Sequence, residues 1–317
     1  MSGEHWLGID LGGTKILGGI FADGATPLAR AKEPTPFDEG PAAVIEKIDR
    51  LINRLLDETK VDRASIGGMG FSAPGQINPN SGFVKFAPNL GWRDVDLPSL
   101  FPKTWTWPTF IENDVRLGTF GEWKFGAAQN ATHVLGVFPG TGVGGCLILD
   151  GKIYHGFNFN AGEIGHMIVH WRKGTTLEAI AGRRNLMKWA DKQLADAPKK
   201  VRKAWKGVDL ANVKSSQLFE FYQKDDPLAV QLIDDAARAI GAGIGSCINL
   251  LSPEVIVLGG GLTEAFGEVL SERVWEIAGR YALPGATEGV KFVTAALGDD
   301  AGIVGAAAYA RSRTAKI

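Results

Sequence analysis

Leu7-Gly8-Ile9-Asp10-Leu11-Gly12-Gly13-Thr14-Lys15-Ile16-Leu17-Gly18-Gly19-Ile20-Phe21 is the stretch that decides how this chain folds. Its first four residues read as a short buried strand, residues 11–15 as a glycine turn and residues 16–21 as a second strand. The arrangement returns further on: Val134-Leu135-Gly136-Val137-Phe138 leads into Pro139-Gly140-Thr141-Gly142-Val143-Gly144-Gly145, and Cys146-Leu147-Ile148-Leu149 runs to an Asp150-Gly151 turn. Set one above the other, LGIDLGGTKILGGIF and LGVFPGTGVGGCLIL share strand, turn and strand in register, so internal duplication is the economical explanation. Two related α/β domains are then expected to face one cleft.

The composition narrows the partners. With 317 residues, 45% of them apolar, the chain can bury one or two cores. Lys+Arg number 34 against 35 Asp+Glu, which leaves no charge excess to hold nucleic acid or an anionic membrane, so small molecules are the expected ligands. No apolar run approaches the roughly 20 residues that span a bilayer, and Met1-Ser2-Gly3-Glu4-His5 lacks the basic and apolar regions of a signal peptide; a cytoplasmic location follows as an expectation. Cys146 and Cys247 are too few for a disulfide framework and sit in apolar, glycine-rich runs that suit buried thiols. Glycine, at 42 residues, is roughly double its usual share of about 7%. The glycines gather at the ends of apolar strands, where backbone must turn tightly or approach a ligand closely, which points to phosphate.

Between the two hairpins, Val44, Ile48, Leu51, Ile52 and Leu55 recur at helical spacing over 42–58, and 66–71 reads as a strand. A short strand over 108–111 ends at Glu112-Asn113-Asp114, where Asn113 or Asp114 can cap the helix that follows. Those polar residues lie at the carboxyl end of a strand, where open α/β sheets bind ligands. Helices are expected over 177–194 and 228–250, then a strand over 255–258, Gly259-Gly260-Gly261, a helix from about Glu264 and a last helix from Ala301. The basic segment 196–206 reads as a solvated helix face.

Gly140-x-Gly142-x-x-Gly145 matches a dinucleotide fingerprint in form, but such a turn must open a helix, and residues 146–149 instead run apolar into a hairpin-type turn. No G-x-x-x-x-G-K-[ST] occurs. What remains is a pair of glycine turns carrying hydroxyls at their tips, Thr14 and Thr141. Exposed turn N–H groups with a hydroxyl form an anion-binding concavity, and two of them can grip a polyphosphate tail. Asp10 could hold Mg²⁺ through water, since that ion favours carboxylate and phosphate oxygens. The strand, triple glycine and helix near 255–264 suit backbone laid against a flat adenine or ribose. Trp92, Trp105 and Trp107 offer either a sugar-stacking face or core.

Asp10-Leu11-Gly12-Gly13-Thr14-Lys15, Glu112-Asn113-Asp114, the turn from Gly140 to Gly145, Gly162-Glu163-Ile164-Gly165-His166 and Gly259-Gly260-Gly261 occur in this order over 8–305. As a set they resemble the ROK family of repressors and sugar kinases, in particular its bacterial glucokinases. The resemblance implies two actin-like, ribonuclease H-like α/β domains: a small one over 1–114, completed by a C-terminal helix over 301–317, and a larger one over 115–300. It implies a homodimer and a kinase that transfers the γ-phosphoryl group of MgATP to a hexose. By motif match, Asp114 would be the general base, Asn113, Glu163 and His166 would bind sugar hydroxyls, Glu178 would lie near the anomeric end and Asn89 would line the sugar site. Asp10, Gly12, Gly13, Thr14, Lys15, Thr141, Gly142, Gly259, Gly260 and Gly261 would hold the nucleotide.

The family's kinases usually carry three cysteines after the Gly-His motif as a zinc loop. Here His166 is followed by Met-Ile-Val-His-Trp-Arg-Lys-Gly-Thr-Thr, so no structural zinc is expected, and His170, Thr175 or Thr176 would have to orient the His166 ring. Glucose is the first candidate acceptor; mannose, fructose or an N-acetyl amino sugar, and polyphosphate as donor, remain open. A sugar-binding regulator is the alternative of another class, although Asp10 follows the first residue too closely to leave room for a DNA-binding helix-turn-helix.

Overall fold

The structure, a computed structural model, describes residues 4–315; the reading of Met1-Ser2-Gly3 and the extreme ends of the ranges 1–114 and 301–317 lie outside the described residues. The chain divides into two compact units. One runs through Asn130 and adds Ile153–Ala161 and the chain from Asp299 onward; the other comprises Ala131–Lys152 and Gly162–Gly298.

The first unit opens with the expected hairpin, β1 (His5–Leu11) and β2 (Lys15–Phe21), followed by β3 (Ala29–Pro34), helix α1 (Gly40–Thr59) and β4 (Ile66–Ala73). Helix α1 buries Val44, Ile45, Ile48, Leu51, Ile52, Leu55 and Leu56, a stripe at spacings of three and four that faces the sheet. A three-stranded antiparallel flap follows, β5 (Gln76–Asn78), β6 (Phe83–Ala87) and β7 (Trp92–Asp96), then β8 (Thr109–Asn113) and α2 (Asp114–Phe125). The main sheet has the order β3-β2-β1-β4-β8, with β1, β4 and β8 parallel. Trp92, Trp105 and Trp107 are at most 9% exposed and belong to the core beneath it.

The C-terminal helix α10 (Ala301–Thr314) closes this unit. Its backbone rests directly on the sheet at Gly8 and Gly70, where a methyl group would overlap the carbonyls of Ile303 and Ala306. The unit extends through α2, beyond the boundary at 114/115 expected from sequence. The reason is packing: α2 and α10 lie side by side, and Leu117, Phe120, Ala306 and Tyr309 form a shared core.

The second unit repeats the plan with β9 (Val134–Pro139) and β10 (Val143–Leu149) as its hairpin, the two-residue β11 (Lys152–Ile153) at the edge, β14 (Val255–Leu258) and β15 (Lys291–Thr294), in the order β11-β10-β9-β14-β15. Strands β9, β14 and β15 are parallel, as β1, β4 and β8 are. The duplication read from the two hairpins therefore extends to five strands each. The insertion between them holds a small ladder, β12 (Ile168–His170) and β13 (Thr175–Thr176), then α3 (Leu177–Ala181), α4 (Arg183–Asp196), α5 (Lys199–Ala204), α6 (Ser215–Gln223) and α7 (Pro227–Leu251); α8 (Gly261–Phe266) and α9 (Glu268–Tyr281) follow β14.

Two helices differ from expectation. The single helix over 177–194 is broken at Gly182, and the helix from about Glu264 is two, split at Gly267, whose φ of +53° with ψ of −130° is a combination that favours glycine. Lys199, Lys200, Arg202 and Lys203 of α5 are exposed, while Val201 and Trp205 face inward, as a solvated basic face requires. Among the described residues, no helix is long and apolar enough to cross a membrane.

Candidate active site

In the first unit, strand register assembles the polar residues. Asp10 pairs with Ser72 across β1 and β4, and Ser72 and Ala73 pair with Glu112 and Asn113 across β4 and β8. Asp10 and the Asn113-Asp114 pair thus occupy the carboxyl edge of one parallel sheet, two strands apart, which is about 10 Å at the usual spacing. The Ser72 hydroxyl donates to Asp10 Oδ1 at 2.8 Å. Burial raises the Asp10 carboxyl above its ordinary pKa, against the pull of Ser72 and the charge of Lys15.

The turn beyond Asp10 is a tight hairpin closed by Gly12 N–H to Lys15 O at 2.9 Å, with the Thr14 side chain exposed at its tip. A Cβ on Gly13 would lie 2.6 Å from the Asn89 carbonyl, so that glycine is what admits Asn89 to the turn. Lys15 Nζ donates to Asp299 Oδ1 at 2.9 Å, and this contact holds the Asp299 carboxyl below its ordinary value.

Both candidate caps of α2 are used, in different ways. Asn113 is the N-cap, its Oδ1 accepting from Arg116 N–H at 3.1 Å, and Asp114 is the first helical residue, its Oδ1 accepting from Asn113 Nδ2 and from Val115 N–H, each at 2.9 Å. Behind them lies a buried charge network. Glu112, wholly inaccessible, accepts from Arg116 Nη1 at 3.2 Å and from Asn113 N–H at 2.9 Å and contacts His155 Nε2 at 2.5 Å. Arg116 Nη2 donates to the carbonyls of Phe159 at 2.7 Å and Ala161 at 3.3 Å.

In the second unit, the turn from Gly140 to Gly142 is closed by Gly140 N–H to Gly142 O at 2.8 Å, and Thr141 is exposed. The start of α4 grips it: Arg183 N–H donates to Gly140 O at 3.0 Å and Arg184 N–H to Thr141 O at 3.1 Å. Glu178, expected near a sugar, has Oε2 on Val143 N–H at 2.8 Å and lies against Gly142, where a Cβ would come 2.2 Å from that same oxygen. Gly259-Gly260-Gly261 runs beside the same turn, because β14 is parallel to β9; a Cβ on Gly260 would come 2.7 Å from the Pro139 carbonyl. Glu163 precedes a single helical turn, Ile164–His166, and its carbonyl accepts from His166 N–H at 3.0 Å.

The exposed His166 ring receives no hydrogen bond among the described residues. The Thr176 hydroxyl is engaged instead as the N-cap of α3, accepting from Ala179 N–H at 3.2 Å, while His170 and Thr175 pair through their backbones. Among the described residues, no three His, Cys, Asp or Glu side chains converge to hold a metal ion.

The ROK family model matches residues 6–313, nearly the whole chain. The chain belongs to the ROK family. A glucokinase of Halalkalibacterium halodurans is 30% identical to it over 96% of the chain and 94% of its own length. A ROK hexokinase of Thermus thermophilus superimposes with a TM-score of 0.82 at 30% identity, covering 99% of this chain and 100% of its own. A ROK family glucokinase of Streptomyces griseus, solved with glucose and AMPPNP, gives 0.81 at 28% identity, covering 97% and 99%. These likenesses make the two units of this ROK protein the pair of actin-like, ribonuclease H-like α/β domains that the motifs implied.

The residues of this ROK protein that sequence reasoning missed are Ser72, Arg116, His155, Arg183 and Asp299. Arg116 had a readable signal, since Glu112 stands four residues before it. His155 and Asp299 had none, because they lie 43 and 284 residues from their partners.

Proposed function

We propose that this ROK protein is a hexose kinase that transfers the γ-phosphoryl group of ATP to a sugar hydroxyl, with glucose the first candidate. The observation that carries the reading is the alignment of Asp10 and Asn113-Asp114 along one sheet edge, in a chain whose relatives include glucokinases and a hexokinase. The donor's phosphates are assigned to Gly12, Gly13, Thr14 and Lys15 of the first unit and to Thr141 and Gly142 of the second, and its base and ribose to Gly259, Gly260 and Gly261.

Asp114 is assigned as general base. An attacking hydroxyl must lose its proton as the bond to phosphorus forms, and a carboxylate already held by Asn113 and Val115 needs no reorganisation to accept it. Asn89, Asn113, Glu163, His166 and Glu178 are assigned to the sugar, fixing the ring by hydrogen bonds. In this reading Glu178 also holds the donor turn through Val143.

Asp10 suits a hydrated Mg²⁺. One carboxylate beside phosphate oxygens is a usual donor set for that ion, and the missing side chain of Gly302, where a Cβ would come 2.6 Å from the Asp10 carboxyl carbon, leaves room at it. When bound, the ion would neutralise charge on the phosphates.

A second donor, inorganic polyphosphate, is favoured by one feature, the exposed basic face of α5. A coupled assay of ATP and polyphosphate in parallel over a panel of hexoses tests both donors, and turnover with none of them would leave a sugar-binding regulator as the better reading. A cytoplasmic homodimer completes the proposal; sedimentation equilibrium would measure the assembly.

A further inference from the structure

Arg183, the first residue of α4, is a cation without an anionic partner among the described residues. Its guanidinium meets two hydroxyls, Nη2 to Thr141 Oγ1 at 3.2 Å and Nη1 to Ser215 Oγ at 3.5 Å, and it pairs with no carboxylate among the described residues. Burial draws its pKa below the ordinary guanidinium value, and the charge of neighbouring Arg184 acts in the same direction. Withdrawing a guanidinium from water without a counter-charge is unfavourable. Arg116 and Arg273, by contrast, meet carboxylates, Arg116 that of Glu112 and Arg273 those of Asp234 and Glu276.

The position of Arg183 identifies the missing partner. Its own N–H fixes the Gly140 carbonyl, and its side chain reaches the Thr141 hydroxyl at the tip of the same turn. Ser215, itself 5% exposed, stands beside the triple glycine, 3.8 Å from a Cβ placed on Gly261. The guanidinium therefore sits where the Gly140 turn meets Gly259-Gly260-Gly261. A planar fork of donors at that junction matches phosphate oxygens in a way that a point charge does not.

We propose that Arg183 is a phosphate-binding residue of the donor site, the counter-cation for a phosphate chain lying over Thr141. The chain could belong to a nucleoside triphosphate or to inorganic polyphosphate. The proposal rests on the kinase reading only in placing a phosphate-bearing donor at the turns of the second unit.

The test is calorimetric titration of the full chain, as wild type, Arg183→Ala and Arg183→Lys, with AMPPNP, adenosine and tripolyphosphate. Arg183→Ala should weaken AMPPNP binding on the order of 10–100-fold, the loss expected for a charge-assisted contact, and leave adenosine within about twofold. Arg183→Lys should fall between. The melting temperature and the KM for hexose should stay close to wild type. An equal loss for tripolyphosphate and AMPPNP supports a contact to the phosphate chain common to both donors; a loss for AMPPNP alone, with adenosine unaffected, supports a nucleotide donor's phosphates. AMPPNP binding unchanged in Arg183→Ala overturns the proposal, as does an equal loss for adenosine, which would put the guanidinium on base or ribose. If the wild type phosphorylates no hexose while Arg183→Ala still loses AMPPNP, the kinase reading fails and the arginine assignment stands.

Discussion

Asn113 Nδ2 donates to Asp114 Oδ1 at 2.9 Å while the Oδ1 of the same Asn113 amide caps α2 through Arg116 N–H. One side chain thus starts the helix and orients the carboxylate that begins it. Serine can supply the capping oxygen but not the second donor. Asn113→Ser keeps the cap but also gives up the Nδ2 bond to the Gly75 carbonyl, so it should lose about 1 kcal/mol while turnover falls, and Asn113→Ala about a further 1 kcal/mol. Urea denaturation beside a coupled kinase assay separates the two effects; wild-type turnover in Asn113→Ser would show that the amide serves the helix alone.

Asp114→Asn keeps the shape and removes the proton acceptor. Turnover should drop about 10²–10⁴-fold, with hexose affinity by calorimetry little changed. Near-normal turnover would remove Asp114 from the role of base.

Glu112 and Arg116 are 0% and 2% exposed, so removing either takes from the other a partner to its buried charge. Glu112→Leu alone is expected to destabilise by about 3–5 kcal/mol, and Glu112→Leu with Arg116→Leu by less than the sum of the two single changes. Guanidinium denaturation of the four proteins measures the coupling; strict additivity would mean the two charges are independent.

Gly302 and Gly279 are both helical glycines with opposite surroundings. A methyl at Gly302 would press on the Asp10 carboxylate, whereas Gly279 is exposed and a methyl there meets nothing within 4 Å. Gly302→Ala should lower kcat/KM for ATP, and Gly279→Ala should stabilise by about 0.5–1 kcal/mol without touching activity. Equal ATP kinetics in the two variants would detach Asp10 from the donor site.

Burial pushes the Cys247 thiol up to about 11. A raised thiol pKa leaves on the order of one thiolate in a thousand at pH 8, so alkylation of the folded protein should be slow and quicken as pH approaches 11. Cys146 is buried as well, which predicts that both thiols react rapidly only after unfolding. A fast first equivalent of thiol reagent at pH 8 would contradict this.

Much of the fold was legible because its signals are local. Glycine turns between apolar strands marked β1 to β2 and β9 to β10, and the run from Leu228 onward announced α7 within a residue or two. The helix over 177–194 was misread because its spacing continues across Gly182, where the chain instead adopts an extended conformation to bring Arg183 onto the Gly140 carbonyl. Gly267 was missed for a similar reason, the apolar pattern outrunning the backbone. The candidate site was legible as residue types but not as contacts, as Glu178 shows: its motif suggested sugar, and its carboxylate lies on Val143 N–H.

By itself, then, the sequence determined two glycine hairpins with hydroxyl tips, a polar triplet at the end of a strand and a last helix from Ala301, because turn chemistry and hydrophobic period act over a few neighbours. Tertiary structure alone decided that Asp10 stands level with Ser72 and Asn113, that α10 returns to rest on Gly8 and Gly70, and that Glu112 is shared by Arg116 and His155. Parallel strands must be joined by long crossovers, so their register is set by packing between distant segments rather than by any local signal.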